Sequence, residues 1–98
     1  MFAHINIWPL NAEGGLPDNT AAREIAARLA QQPGFRMYSL VRTGEREVVA
    51  ITTFDTEAQL EEAVRSVASL VHERVGPLSD GTPERRRGEV LYHTAASS

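Results

Sequence analysis

From Phe2 to Trp8 apolar and polar side chains alternate, with Ala3, Ile5 and Ile7 on one side and Phe2, His4, Asn6 and Trp8 on the other. That period of two predicts a strand, ended by Pro9. Asn11 to Pro17 reads as a loop, because two glycines and a proline interrupt any regular pattern there. After the capping oxygens of Asp18, Asn19 and Thr20, Ala22, Ile25, Ala26 and Leu29 recur at helical spacing. The spacing predicts a helix over 19–32 with a narrow, alanine-rich face, which lets it approach a sheet closely or leaves room for a ligand beside it. Pro33-Gly34 breaks this helix. Phe35–Arg42 and Glu47–Phe54 then form a hairpin around Thr43-Gly44-Glu45-Arg46, and the unbroken apolar run Val48–Ile51 implies burial on both faces. Asp55 or Thr56 caps a second helix whose Leu60, Val64, Val67, Val71 and Val75 make one stripe, while Glu57, Glu61, Glu62 and Arg65 lie largely away from it. Gly76-Pro77 stops it. Leu78–Arg87 reads as a polar loop, Glu89–His93 as a short last strand with Val90 and Tyr92 on one face, and Thr94–Ser98 as a frayed tail.

Strand, helix, strand occurs twice in this order, which is the arrangement of an α+β, ferredoxin-like βαββαβ domain over residues 1–98. Both crossovers place their helices on one face of a four-stranded antiparallel sheet, leaving the other face bare in a monomer. The 98 residues suffice for one domain with a modest core, so a partner subunit would add stability. With 10 basic and 13 acidic residues the net charge is −3, which speaks against a general nucleic-acid binder. Small molecules or proteins are the expected partners. The absence of cysteine excludes disulfides, thiolate catalysis and cysteine-ligated metal. No segment reads as a secretion signal or a membrane span, so the expectation is a cytoplasmic protein.

The junction Gln32-Pro33-Gly34-Phe35, with Tyr38 soon after it, and the capped second helix that follows the third strand resemble the dimeric α+β barrel family that contains the antibiotic biosynthesis monooxygenases. The resemblance implies a homodimer in which two bare sheet faces close a barrel. It also implies oxygenation without metal or flavin: an aromatic phenol or dihydroquinone is deprotonated and its carbanion reduces oxygen directly. In the haem-degrading members an asparagine in strand one and a histidine late in helix two belong to the site, and by position these match Asn6 and His72. Those members also carry a tryptophan about three turns before the histidine. This chain has Leu60-Glu61-Glu62-Ala63 there, which speaks against haem degradation by that mechanism and leaves haem binding open; without cysteine, a complete HExxH or a glycine-rich phosphate loop, no metal or flavin cofactor is expected. Asn6 and His72 are the expected catalytic pair, Trp8, Tyr38 and Tyr92 the walls of a substrate slot, and Arg36 or Arg42 its cation.

Each of these residues has an ordinary structural reading as well. The face shared by His4, Asn6 and Trp8 suits any interfacial strand, and His72 lies at the edge of its helix stripe, where histidines commonly pack half-exposed. His72-Glu73 starts like a zinc-protease motif, but the second histidine position is Gly76. Arg85-Arg86-Arg87, flanked by Glu84 and Glu89, reads as a solvated loop able to attract a carboxylate. Hydrophobicity turns Ala3, Ile5 and Ile7 toward the helices, which would point Asn6 away from His72; the family alignment requires the reverse. Three functions fit the pattern: a cofactor-independent monooxygenase acting on a small aromatic molecule, a polyketide cyclase on the same barrel, supported by Glu73-Arg74-Val75-Gly76 and Glu89-Val90-Leu91-Tyr92, and a non-catalytic dimeric protein that binds a small ligand.

Overall fold

The computed structural model describes residues 1–11 and 19–96. The loop expected at Asn11–Pro17 and the cap at Asp18 fall, apart from Asn11, outside the described residues, as does the end of the tail. In chain order the elements are β1 (Phe2–Pro9), α1 (Thr20–Ala30), β2 (Phe35–Gly44), β3 (Glu47–Phe54), α2 (Glu57–Arg74) and β4 (Glu84–Glu89), with a 3-10 turn at Gly76–Leu78. The sheet is antiparallel throughout in the order β2-β3-β1-β4, the ferredoxin-like arrangement expected from the sequence. No helix among the described residues is long and apolar enough to cross a membrane.

Local chemistry fixes the helix ends. The Thr56 hydroxyl accepts from the Gln59 amide while the Gln59 side chain accepts from the Thr56 amide, a reciprocal capping box at the start of α2. Gly34, at φ 84°, turns the chain out of α1 beneath that box, and its carbonyl accepts from the Asp55 amide. The junction that carries the family resemblance is thus joined to the cap of the second helix.

Leu60, Ala63, Val67 and Leu70 are the buried residues of α2 and pack with Ile25 and Leu29 of α1 over Phe54. Val64, Val71 and Val75, which the sequence puts in the same stripe, are only half-buried and stand to one side of this core. The Phe35 and Phe54 rings meet edge to face, centroids 5.7 Å apart, and Phe2 packs beside them. An Arg74–Glu24 ion pair at 3.2 Å ties the two helices.

One alternative left open by the sequence is decided, and one expectation is corrected. The face of β1 that meets the helices is the one bearing His4, Asn6 and Trp8, not the more apolar Ala3, Ile5 and Ile7; His4 and Trp8 are buried. Hydrophobicity misassigned the face because the bare side of the sheet is apolar too. Directly paired residues share a face, so Ala3, Ile5 and Ile7 lie there beside Val49, Ile51, Met37 and Val41. The last strand is Glu84–Glu89, inside the stretch read as a polar loop, while Val90 to His93 continue beyond it without strand structure. Charge suits an edge strand, which has one free flank and blunts unwanted pairing there. Its backbone pairs with β1, with Arg85 opposite Asn6 and Arg87 opposite His4.

Candidate functional site

The register arranges the helix-facing side of the sheet in transverse rows. Phe35, Phe54, Phe2 and Glu89 form the row at one end, and its three rings plug that end of the core. Next come Tyr38, Thr52, His4 and Arg87, then Leu40, Ala50, Asn6 and Arg85, and finally Arg42, Val48 and Trp8. Above the last three rows the helices stand off the sheet and enclose a cavity of about 780 Å³. That volume lies within the range of small-molecule sites. The small Ala22 of α1 and Ala68 of α2 contribute to the roof, together with Ile25, Val64, Val71 and Val75. The valines displaced from the core are therefore cavity wall, and His72 stands among them at the exposed rim.

One end is closed by the chain after α2. Leu10 bridges to Ser79, the Asn11 amide donates to the Leu78 carbonyl and the Asp80 amide to the Pro9 carbonyl, seating Leu78 and Leu10 next to Trp8. Trp8 is buried as one side of that corner.

Of the residues singled out in the sequence, Asn6, Trp8, Tyr38 and His72 line this one cavity. Arg36 and Tyr92 do not. Arg36 is ion-paired to Asp55 at the hairpin's base, and Tyr92 is 83% exposed beyond the end of β4. Arg42 reaches the cavity, but its guanidinium donates to the carbonyls of Gly44 and Glu45 in its own turn. The free cation is Arg85, which lines the cavity and has no ion-pair partner among the described residues. Sequence reasoning missed it because an arginine run reads as solvated until strand pairing sets which of its members points inward.

His4 is the other residue the pattern undervalued. Only 6% of it is exposed, and its Nε2 has no hydrogen-bond partner; neither does the buried Oδ1 of Asn6. Burial, then the positive charge of Arg87, holds the His4 imidazole below its usual 6.5; the Asn6 side chain pulls it up, and Arg85 adds a weaker downward push. Burial likewise raises the Tyr38 phenol above 10.0. The site thus presents His4 and Asn6 as hydrogen-bonding side chains, Arg85 as an unpaired cation and His72 at the rim of a largely apolar cavity whose wall also holds Glu61, Arg65 and Thr52.

No cluster of three or more histidine, cysteine or carboxylate side chains that could hold a metal occurs among the described residues. The turn of α2 where haem degraders carry tryptophan holds Leu60 in the core and Glu61, whose carboxylate lies 3.6 Å from Arg87, so the residues do not fit that arrangement.

No family model matches the chain, and no curated protein matches it in sequence. Solved structures do share its fold. NE2512, a protein of unknown function from Nitrosomonas europaea, superposes with a TM-score of 0.83 at 11% identity, covering 99% of this chain and 95% of that one. A candidate antibiotic biosynthesis monooxygenase from the same organism gives 0.80 at 12% identity, over 94% and 100%. SnoaB, a cofactor-independent oxygenase from Streptomyces nogalater, gives 0.72 at 22% identity, over 94% of each chain. The fold is that of the antibiotic biosynthesis monooxygenase-like proteins.

Proposed function

We propose that this protein is a cofactor-independent monooxygenase that acts on a planar, oxygenated aromatic molecule. The observation that carries the reading is the convergence of Asn6, His72 and Arg85 on a largely apolar cavity walled by Trp8 and Tyr38. A fold shared with a cofactor-independent oxygenase supports it. His72, at the rim, takes a proton from an activated carbon or hydroxyl of the substrate and passes it to solvent. Charge then moves onto a ring oxygen, where Arg85 and the Asn6 amide stabilise it. The resulting carbanion gives electrons to dioxygen, a carbon–oxygen bond forms, and loss of water leaves a carbonyl where the carbon bore two hydrogens. The aromatic walls hold the ring in place and exclude water from the reduced oxygen.

We also propose a homodimer joined through the bare sheet face. Ile5, Ile7, Val49 and Ile51 are half-buried on that face, and both helices lie on the opposite one. A contiguous apolar surface of this kind is the usual mark of an interface.

Oxygen consumption measured with a panel of anthrones and dihydroquinones tests the reaction. Uptake above the uncatalysed rate is expected, with one water and one carbonyl formed per dioxygen for the anthrones, whose reactive carbon bears two hydrogens. His72→Ala should lower kcat by about a hundredfold, the lower range for acid–base catalysis, with little change in KM. Ring closure without oxygen uptake would instead assign the cavity to cyclisation. Binding of the same compounds without turnover would make it a binding module. The strand Glu89–Tyr92 that favoured the cyclase in the sequence is not formed.

A further inference from the structure

We infer that His4 is a ligand-binding residue of this cavity, fixed as the Nε2–H tautomer by Arg87 and donating a hydrogen bond to an anionic oxygen on the bound aromatic molecule. The inference rests on the cavity being a site for oxygenated aromatics, and it adds the group that reads the oxygen. Arg87 pairs with His4 across β1 and β4, and its Nε lies 3.5 Å from His4 Nδ1. A guanidinium can only donate. Nδ1 must therefore present its lone pair to Arg87, and the single proton of a neutral imidazole belongs on Nε2. Glu61, itself in the cavity wall, lies 3.6 Å from Arg87, so the orienting chain runs from α2 through β4 to β1.

Arg87 itself does not line the cavity, whereas His4 does. The ring is thus held through Nδ1, and its Nε2 is left buried and without a hydrogen-bond partner in a cavity-lining residue only 6% exposed. Buried donors are rarely left unpaired, and one that is points to a missing acceptor. Such a ring is a poor proton acceptor, since its one lone pair faces an arginine. The neighbouring Oδ1 of Asn6, also unpaired, is an acceptor on the same face two residues along. The His4 N–H, with Arg85 in the next row, selects a planar ligand carrying an ionised oxygen, and the Asn6 Oδ1 accepts from a hydroxyl where the ligand has one beside it.

The chain's single tryptophan, Trp8, is in the cavity wall, so its fluorescence reports occupancy. The probes are lawsone, a hydroxynaphthoquinone ionised at neutral pH, and menadione, which carries a methyl group and no hydroxyl. Wild type should bind lawsone more tightly than menadione. His4→Phe should weaken lawsone at least about tenfold, as expected for a hydrogen bond to a charged oxygen, and leave menadione unchanged. Arg87→Met, which frees the tautomer, should weaken lawsone less. A long-range proton–nitrogen NMR spectrum of the ligand-free wild type should show His4 protonated at Nε2 and bare at Nδ1, a readout independent of any variant. Protonation at Nδ1, or equal losses of both probes in His4→Phe, overturns the role of His4 while leaving the cavity reading intact. Binding of neither probe by wild type overturns both.

Discussion

A histidine kept neutral by burial and two arginines makes stability depend on pH in a defined direction. The unfolded chain protonates His4 near 6.5, whereas the native chain resists protonation until lower pH, its value being depressed. Below 6.5 the unfolded state therefore binds more protons, and stability falls as pH falls through the interval down to the native value. Urea unfolding midpoints measured across that interval should drop in wild type. His4→Phe should remove part of the slope; an unchanged slope would mean that His4 is not held neutral. Tyr38 acts at the other extreme, because its raised native value makes stability decline once pH exceeds 10.0. The same residue scale separates the arginines. Arg36 spends its charge on Asp55 and Arg42 on its own turn, which leaves Arg85 to meet a ligand.

At the scale of elements, the α1–β2 junction and the start of α2 behave as one unit. A Cβ on Gly34 would collide with the Gln59 side chain, which closes the capping box, and the positive φ is itself unfavourable for other residues. Gly34→Ala should cost about 2 kcal/mol, one part from the backbone and one from the lost cap. In a Gln59→Ala background the same change should cost about 1 kcal/mol, because the obstructing side chain and its share of the cap are already gone. Additive losses in a denaturation double-mutant cycle would show the two elements to be independent. The α2 stripe was legible as apolar, yet its residues divide between core and cavity. Leu60 and Val67 are buried in the cluster with Ile25, Leu29 and Phe54, whereas Val64, Val71 and Val75 pack half-buried at its margin and line the cavity.

For the whole molecule the decisive feature is a sheet with two apolar faces. One is covered by the helices and holds the cavity; the other carries Ile5, Ile7, Val49 and Ile51 with no covering element among the described residues. Light scattering should give twice the 10.8 kDa chain mass at micromolar concentration. Ile51→Glu, at the centre of the bare face, should shift that to the chain mass while retaining the helical circular dichroism. A monomeric wild type would remove the interface. The cavity lies on the opposite side of the sheet, so a folded Ile51→Glu monomer should still bind ligand.

The sequence alone determined the order of the elements and most of their limits, because periodicity, caps and breakers are local. The hairpin of β2 and β3, the cap at Thr56 and the stop at Gly76-Pro77 needed nothing distant. It also pointed to Asn6, Trp8, Tyr38 and His72, partly through family resemblance. What it did not determine was which face of β1 looks inward, since both alternating sets are apolar enough to be buried against something. Nor did it place the last strand, whose Glu-Arg-Arg-Arg-Gly-Glu composition becomes β4 only when β1 supplies hydrogen bonds along its edge. Those two nonlocal choices decide the candidate site. Pairing β4 with β1 sets Arg85 beside Asn6 and Arg87 behind His4, and the helices over the even-numbered face bring His72 to the same cavity.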